Sequence, residues 1–313
     1  MPAADHRLTT REMAQFVANG YLRFDAIVPP EINEAVLGEL PAIEAAKLAA
    51  FGIGERSDSI ALPHTLDPLS RCYVDRPGLG AYLRLPQIQG IISSLVGDDP
   101  IFDHDFVHHL PAGHANRQHL HADAISDTAT PDFDIQLFYF PHEIAPGAGG
   151  TRFVPGSHLR RVPSSSTARY QQLVGEEFYA GPAGTVMVFH HGLWHAGQDN
   201  PSGQDRWMYK LRVGPDRPQQ RLWNLADFEA MHNDASDHIF ANSRTDSVAA
   251  ILRSTPTWMG TDESRRELTE RAPVALPLRR RHLRRRLLPG AYRAASPRSL
   301  RCSTTASRSS SSG

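Results

Sequence analysis

The stretch GTVMVFHHGLWHAG, residues 184–197, joins a short apolar run to a cluster of histidines. The run lies between Gly184 and Gly192, and apolar runs of this length between turn residues are typical of buried β-strands. His195 follows a few residues later, beyond the paired histidines at 190 and 191. We therefore expect a strand, Gly184–His190, that leads into a loop carrying a candidate site residue.

Other short apolar runs, broken by proline, glycine and asparagine, lie on both sides of this stretch. They are Ile101–Leu110, Asp134–Phe140, Thr151–Val154 and Trp207–Val213. Several strands of this size with turn residues between them favour a sandwich or barrel over alternating βαβ units. The sequence therefore predicts a mostly β fold.

Helical patterns precede these strands. Thr9 and Glu12 have capping-box spacing for a first helix, and Gly20 is placed to end it. The further elements expected here are a strand at Tyr21–Phe24, a helix from Pro30 that ends before Pro41, and a helix at Gln87–Val96. We expect these helices to flank the β core.

The charge of the chain is unevenly distributed. The 313 residues contain 33 basic and 34 acidic residues, but residues 279–313 hold ten arginines and no acid. Residues 1–278 therefore carry a formal charge of −11 and the last 35 residues carry +10. We expect a single domain over residues 1–278, partly helical at 224–270. We expect residues 279–313 to form a basic, Ser/Arg-rich tail that is disordered beyond about residue 290, since it lacks apolar content.

Composition also excludes several classes of protein. The two cysteines, Cys72 and Cys302, are too few for a disulfide scaffold or a thiolate metal cluster. No run approaches 18 apolar residues, so a membrane span is not expected. The first residues lack a charged-then-apolar leader, so we expect a cytoplasmic protein.

Histidine is the residue type that points to chemistry. Of the sixteen histidines, eleven fall between His104 and His195. His121 and Asp123 are two apart, so in a strand both side chains project from one face, and His195 follows 74 residues after His121. Two imidazoles and one carboxylate form the facial triad of non-haem Fe(II) oxygenases, which leaves metal positions open. An isolated H-x-D is common by chance, so the surrounding sequence decides whether this one marks a metal site.

That context carries a family resemblance. The segment GTRFVPGSH at 150–158 lies between the candidate ligands, and Asn200 follows the distal histidine. The run LTxxExxxFxxxGY at 8–21 and an arginine eleven residues after His195 complete the pattern. Together, over about residues 7–215, the sequence resembles the phytanoyl-CoA dioxygenase family of Fe(II)- and 2-oxoglutarate-dependent oxygenases.

The resemblance implies a fold, cofactors and a reaction. The fold is a double-stranded β-helix (jelly-roll, cupin-like) with flanking helices. The implied iron ligands are His121, Asp123 and His195. The implied reaction consumes O2 and decarboxylates 2-oxoglutarate to succinate and CO2 while a substrate C–H bond is oxidised. Related halogenases have Ala or Gly at the carboxylate position, so the retained Asp123 favours hydroxylation or desaturation.

The resemblance also implies co-substrate residues. Arg206 would pair with the distal carboxylate of 2-oxoglutarate, for which a planar guanidinium is a natural bidentate partner. Arg212 is the alternative, because alternation points both arginines the same way. Gln118 matches a position that often lines the co-substrate pocket. Gly197 departs from the pattern, since many members have a hydroxyl residue two after the distal histidine.

The remaining histidines and tryptophans have structural interpretations. His158 is expected to bond the backbone, and His119 to lie outside the metal site despite sharing a strand face with His121. His108 and His109 are expected to line the substrate pocket. We expect Trp194 and Trp207 to pack in the core, with a position in the pocket wall as the alternative.

Several functions remain open at this point. The favoured partner is a small-molecule substrate, either a natural-product intermediate or an amino-acid-like metabolite. An acyl-CoA 2-hydroxylase is an alternative within the family, although the acidic body argues against a CoA-binding entrance. An alternative of another class is a non-catalytic or Zn-binding cupin-like protein whose tail mediates interactions. Ten arginines without an acid could neutralise phosphates, but nothing resembling a base-reading motif accompanies them. Nucleic acid is therefore not the expected partner, and the sequence leaves the oligomeric state undetermined.

Overall fold

A computed structural model describes residues 6–50, 68–73, 75–123, 134–160, 162, 164–169, 172–215 and 223–228. The tail at 279–313 and the helical content expected beyond residue 228 lie outside the described residues. The domain boundary expected at residue 278 therefore stays a prediction.

The described residues form five helices and eight strands. The helices are α1 (Thr10–Asn19), α2 (Pro30–Ala50), α3 (Pro77–Arg84), α4 (Pro86–Val96) and α5 (Ser164–Thr167), and short 3₁₀ turns lie at Leu69–Arg71 and Ser157–Leu159. The strands are β1 (Tyr21–Phe24), β2 (Ile101–Leu110), β3 (Ile135–Phe140), β4 (Arg152–Phe153), β5 (Glu177–Phe178), β6 (Thr185–His190), β7 (His195–Ala196) and β8 (Arg206–Gly214).

The strands form two antiparallel sheets. The larger has the order β1-β6-β3-β8-β2, and the smaller has the order β5-β4-β7. In the larger sheet Phe138 lies between Met187 of β6 and Lys210 of β8, and Lys210 in turn faces Phe106 of β2. This mostly antiparallel architecture confirms the predicted jelly-roll, cupin-like fold class.

The two faces of the larger sheet pack against different partners. Along β3, Ile135, Leu137 and Tyr139 belong to a core shared with the N-terminal helices, whereas Phe138 and Phe140 belong to a core shared with the smaller sheet. Side chains alternate across a strand, so a strand buried on both faces reads as a continuous apolar run. The helices therefore support the sheet from outside and leave its inner face for the site.

Helix α1 begins and ends as its sequence predicts. The Thr9 hydroxyl accepts a hydrogen bond from the Glu12 amide while the Glu12 carboxylate accepts one from the Thr9 amide, which confirms the capping box. Gly20 ends the helix at φ 77°, a left-handed conformation that suits glycine. A Cβ at Gly20 would also lie 2.3 Å from the His158 ring, so the position excludes larger residues.

The expected end of α2 before Pro41 was wrong. The helix continues through Pro41 to Ala50. Proline removes a backbone hydrogen bond and clashes with the preceding turn. Here the buried stripe formed by Val36, Leu40 and Ile43 runs past the proline, and its packing outweighs that cost. Among the described residues, no helix has the length and apolarity needed to cross a membrane.

Candidate active site

A pair of backbone hydrogen bonds joins the two histidines of the triad. The His121 amide donates to the His195 carbonyl at 3.0 Å, and the His195 amide donates to the His121 carbonyl at 2.8 Å. The pairing continues where the Gln118 amide donates to the Gly197 carbonyl at 3.0 Å. His121 thus lies in an isolated bridge to β7 rather than in a regular strand. This bridge brings together residues 74 positions apart in the sequence.

Hydrogen bonds to the backbone orient both imidazoles. Nδ1 of His121 donates to the His119 carbonyl at 2.8 Å, and Nδ1 of His195 donates to the Leu193 carbonyl at 2.9 Å. A carbonyl only accepts, so in the neutral rings Nε2 carries the lone pair. The two Nε2 atoms lie 3.4 and 3.6 Å from the Asp123 carboxylate oxygens. Backbone-oriented imidazoles around a carboxylate are the donor arrangement of a metal site.

The three side chains satisfy the distance requirement for one shared ion. One potential ligand atom from each lies within 4.8 Å of the others. Two ligands bound at right angles at about 2.1 Å from a metal would be about 3 Å apart. The donor set therefore fits a divalent metal with small adjustments of the side chains.

Burial and neighbouring charges hold His195 and Asp123 in the protonation states that bind metals. Burial lowers the pKa of His195 to about 3, despite the opposing effect of Asp123, so the ring is neutral at physiological pH. Burial alone would raise the pKa of Asp123, but Lys210 and His195 outweigh this effect and hold it well below its ordinary value. A neutral imidazole and an ionised carboxylate are the forms that bind metals.

Lys210 is a site residue that sequence reasoning missed. It lies on β8 and is 5% exposed, and its Nζ donates to Asp123 Oδ2. The rings of Phe106 and Phe138 flank the ammonium, each with its centroid 5.3 Å away. Burial lowers the pKa of Lys210, and Asp123 opposes that shift. One feature of the sequence could have indicated it. Lys210 is four residues after Arg206, so alternation along one strand places both side chains on the same face.

A cavity of about 110 Å³ adjoins the triad. Its walls include the triad itself together with Gln118, Thr151, Arg206, Met208 and Lys210. Most of these side chains come from the inner face of β8 and from the segment that pairs with β7. The structure therefore brings Gln118 and Arg206, both singled out from the sequence, to one cavity with the three candidate ligands.

The two candidate arginines have different surroundings. Arg206 is 4% exposed and lines the cavity. Arg212 instead bonds Asp134, with nitrogen–oxygen distances of 2.6 and 2.9 Å, and lies 3.1 Å from Asp103. Those two carboxylates hold the far end of β8 to its neighbours, so the position of Arg206 agrees better with a co-substrate role.

Gln118 fills the space beside Gly197. Its Oε1 accepts a hydrogen bond from the Gly197 amide at 2.9 Å. A Cβ at position 197 would lie 3.2 Å from the same oxygen. The absence of a side chain at Gly197 thus gives the carboxamide its place at the cavity wall, with its Nε2 as a further donor.

The other histidines divide between cavity and scaffold. His108 lines the cavity, and burial, with Lys210 and Arg206, holds its pKa well below the ordinary value. His109 also lines the cavity, stacked on Trp207 at 3.8 Å. His158 donates from Nε2 to the Val17 carbonyl at 3.1 Å, which confirms its predicted bond to the backbone. His119 is exposed and contributes its carbonyl to the His121 ring.

Comparisons with known proteins identify the family of this chain. The family model described as Phytanoyl-CoA dioxygenase (PhyH) matches residues 16–208. Dioxygenase lolE1 of Epichloe uncinata is 31% identical over 121 residues, which cover 37% of this chain and 46% of that protein. The chain therefore spans about half the length of this curated relative.

Two solved structures share the fold at low sequence identity. EctD from S. alaskensis with 2-oxoglutarate and 5-hydroxyectoine has a TM-score of 0.51 at 18% identity, over 66% of this chain and 75% of that one. HygX from Streptomyces hygroscopicus with nickel and 2-oxoglutarate bound has a TM-score of 0.51 at 13% identity, over 71% and 91%. The family match covers more than half of the 313 residues, and the chain belongs to the phytanoyl-CoA dioxygenase family of Fe(II)- and 2-oxoglutarate-dependent dioxygenases.

Proposed function

We propose that this protein is an Fe(II)- and 2-oxoglutarate-dependent oxygenase that hydroxylates a C–H bond of a small molecule or oxidises it in a related way. The observation that carries the proposal is the orientation of the His121 and His195 rings. Both Nδ1 atoms bond backbone carbonyls, and both Nε2 atoms are directed at the Asp123 carboxylate. His121, Asp123 and His195 would hold the iron on one face, which leaves room for co-substrate and O2.

The protein's own groups would bind and orient 2-oxoglutarate. The Arg206 guanidinium, buried in the cavity wall, would pair with the distal carboxylate through two parallel hydrogen bonds. The Gln118 carboxamide, fixed by the Gly197 amide, would donate from Nε2 to the same group. In a hydroxylation, the iron would couple oxidation of 2-oxoglutarate by O2, which yields succinate and CO2, to insertion of the second oxygen atom into the substrate.

The surrounding side chains would exclude water from the reacting groups. The Phe138 and Met208 side chains are 1% and 3% exposed and close the inner face of the sheet beside the triad. Electrostatic interactions are stronger in such a site than in water.

We infer that the substrate is a natural-product intermediate or an amino-acid-like metabolite, since the formal charge of −11 over residues 1–278 does not favour a CoA ester. A cytoplasmic location is part of the same proposal.

The test is spectroscopic and catalytic. Anaerobic addition of Fe(II) and 2-oxoglutarate should give the visible charge-transfer band of a chelated co-substrate. Admission of O2, with ascorbate present as the reductant, should then release succinate and CO2. Asp123→Ala removes one of the three ligands, so a higher Fe(II) concentration should be needed to develop the band. Arg206→Lys should weaken 2-oxoglutarate binding by about tenfold or more, because it removes a bidentate pair.

Arg212→Lys is the matched control. Arg212 lies on the same face of β8 as Arg206, but it bonds Asp134 away from the cavity. It should leave 2-oxoglutarate affinity close to that of the wild type. Failure of the wild-type protein to develop a band or release succinate would instead favour a non-catalytic, metal-binding member of the fold.

A further inference from the structure

Lys210 has more hydrogen-bonding capacity than its contacts use. An ammonium has three donors, and within the part of the chain that the structure describes its one hydrogen-bond partner is Asp123. Its side chain is 6% exposed and lies between the rings of Phe106 and Phe138. A buried cation is stable only when its charge and donors are satisfied. Lys210 therefore requires a second acceptor.

Metal binding would increase this requirement. A divalent ion held by His121, Asp123 and His195 would draw on the same carboxylate that Lys210 contacts. The ammonium would then share one negative charge with an ion of charge +2, at short range and away from bulk water. An additional anion near Lys210 would restore the balance.

The co-substrate does not supply that anion at Lys210 if Arg206 is its anchor. Arg206 and Lys210 are four residues apart on β8, roughly 13 Å along the strand, with Met208 between them on the same face. The two negative charges of 2-oxoglutarate would be taken up by Arg206 at one end and by the metal at the other. The iron, Asp123, Arg206, Lys210 and 2-oxoglutarate would then sum to one excess positive charge.

Other charged groups near the cavity are already engaged. Glu44 lines the cavity, and one of its oxygens lies 3.3 Å from His109 Nδ1. His108 is buried beside Lys210 and Arg206, which disfavour its protonated form. Asp103 and Asp134 bond Arg212 at the far end of the strand. None of these described contacts places a second carboxylate on Lys210.

We propose that Lys210 determines substrate specificity by receiving a carboxylate of the substrate beside the metal site. The inference rests on the proposed oxygenase function and names the substrate class: a small molecule that carries a carboxylate close to the oxidised carbon. The paired phenylalanine rings would pack against the apolar part of such a molecule.

The test uses acetate as a minimal carboxylate probe. It is titrated into the anaerobic wild-type complex of Fe(II) and 2-oxoglutarate at constant ionic strength, with acetamide as the neutral probe of the same shape. Acetate should shift the charge-transfer band in a saturable way, and acetamide should not. In Lys210→Met, acetate affinity should fall by about tenfold or more, whereas 2-oxoglutarate affinity stays within about threefold of the wild-type value.

Two further variants complete the experiment. Lys210→Arg keeps the cation and should retain the acetate response. Arg23→Met removes an exposed positive charge on β1 and should change nothing, which controls for net charge. Equal responses to acetate and acetamide, displacement of 2-oxoglutarate by acetate, or loss of the 2-oxoglutarate band in Lys210→Met would each overturn the inference. A wild-type protein without any band would instead refute the oxygenase function itself.

Discussion

At the scale of single residues, Gly197 and Gln118 form a matched pair. The glycine leaves room for the carboxamide, and its amide fixes Oε1 at 2.9 Å. We expect Gln118→Ala to weaken 2-oxoglutarate binding by about tenfold, because a donor to the distal carboxylate is lost. Titration of 2-oxoglutarate against the anaerobic charge-transfer band measures this change directly.

The reverse exchange provides the control. Gly197→Ser alone places a side chain 3.2 Å from Gln118 Oε1 and should disturb the amide. In the Gln118→Ala background the same serine has space and a hydroxyl to offer, so it should recover part of the affinity. If Gln118→Ala binds 2-oxoglutarate as tightly as the wild type, Gln118 has no part in the co-substrate site.

The sequence predicted most of the candidate site at this scale, because the family's motifs stand in a distinctive order along the chain. His121, Asp123, His195, Arg206 and Gln118 all reach one cavity region. Lys210 was missed because its role depends on which face of β8 it occupies and on burial between two other strands. Alternation from Arg206 indicates the face, but burial requires the sheet register that pairs Lys210 with Phe106 and Phe138.

At the scale of elements, a cluster of hydroxyls ties β2 and β8 to the segment before α3. Asp105 Oδ2 accepts a hydrogen bond from the Tyr73 hydroxyl at 2.9 Å. The single proton of the Tyr209 hydroxyl is shared between Asp105 Oδ2, 3.2 Å away, and the Tyr73 oxygen. Asp105 is 2% exposed. We expect Tyr209→Phe to lower the free energy of unfolding by about 1–3 kcal/mol, since it removes a donor from a buried carboxylate. Urea denaturation followed by circular dichroism measures the loss.

Tyr82→Phe is the control for this change. Tyr82 is also fully buried, stacked on Tyr139 at 4.4 Å, but its hydroxyl has no hydrogen-bond partner among the described residues. Removing that hydroxyl should leave stability unchanged or raise it, because an unsatisfied polar group is relieved. Equal destabilisation by both substitutions would show that ring packing, and not the Asp105 cluster, accounts for the effect.

The contact between α1 and the 3₁₀ turn at Ser157–Leu159 should make stability depend on pH. Burial lowers the pKa of His158 to about 4, from about 6.5 in the unfolded chain. The contribution of the neutral ring is complete above pH 6.5 and is lost as the pH falls to about 4, because the unfolded state binds the proton more tightly.

This loss amounts to about 3 kcal/mol for the neutral buried ring. The free energy of unfolding of the wild type minus that of His158→Asn should therefore decrease between pH 7 and pH 4 and become constant below it. Denaturation at a series of pH values gives both curves. A difference that does not vary with pH would contradict the assignment of a buried, neutral imidazole.

Elements with long, regular sequence patterns have the bounds that the sequence predicts. Very short strands, and the helix that tertiary packing stabilises, do not. Strand β2 runs from Ile101 to Leu110 as predicted, because ten residues carry a clear pattern. Strands β5 and β7 are two residues long and were not foreseen, since two residues carry no periodicity. Helix α2 passes Pro41 because tertiary packing, which no local rule contains, overrides the proline.

At the scale of the whole molecule, the near-neutral charge of −1 is the sum of two opposed parts. The residues proposed to bind the metal, 2-oxoglutarate or the substrate carboxylate lie between Gln118 and Lys210, within the part that carries −11, whereas the +10 lies beyond residue 278. A site that would bind a dianionic co-substrate thus lies within the acidic part of the sequence. Attraction of 2-oxoglutarate would then come from Arg206 in the cavity wall and from the metal, and not from the net charge.

Removal of residues 279–313 should separate these two parts. We expect the shortened chain to develop the charge-transfer band with unchanged 2-oxoglutarate affinity, because every residue proposed to bind the metal or 2-oxoglutarate precedes the cut. Its formal charge changes from −1 to −11, so at pH 7 it should bind an anion exchanger more tightly than the full chain. A lower 2-oxoglutarate affinity after truncation would mean that the arginines contribute to the site.

The same truncation tests whether the tail binds nucleic acid. Binding of random-sequence DNA that weakens with salt and disappears on truncation would make the tail a nucleic-acid-binding segment, since counterion release requires the cations of residues 279–313.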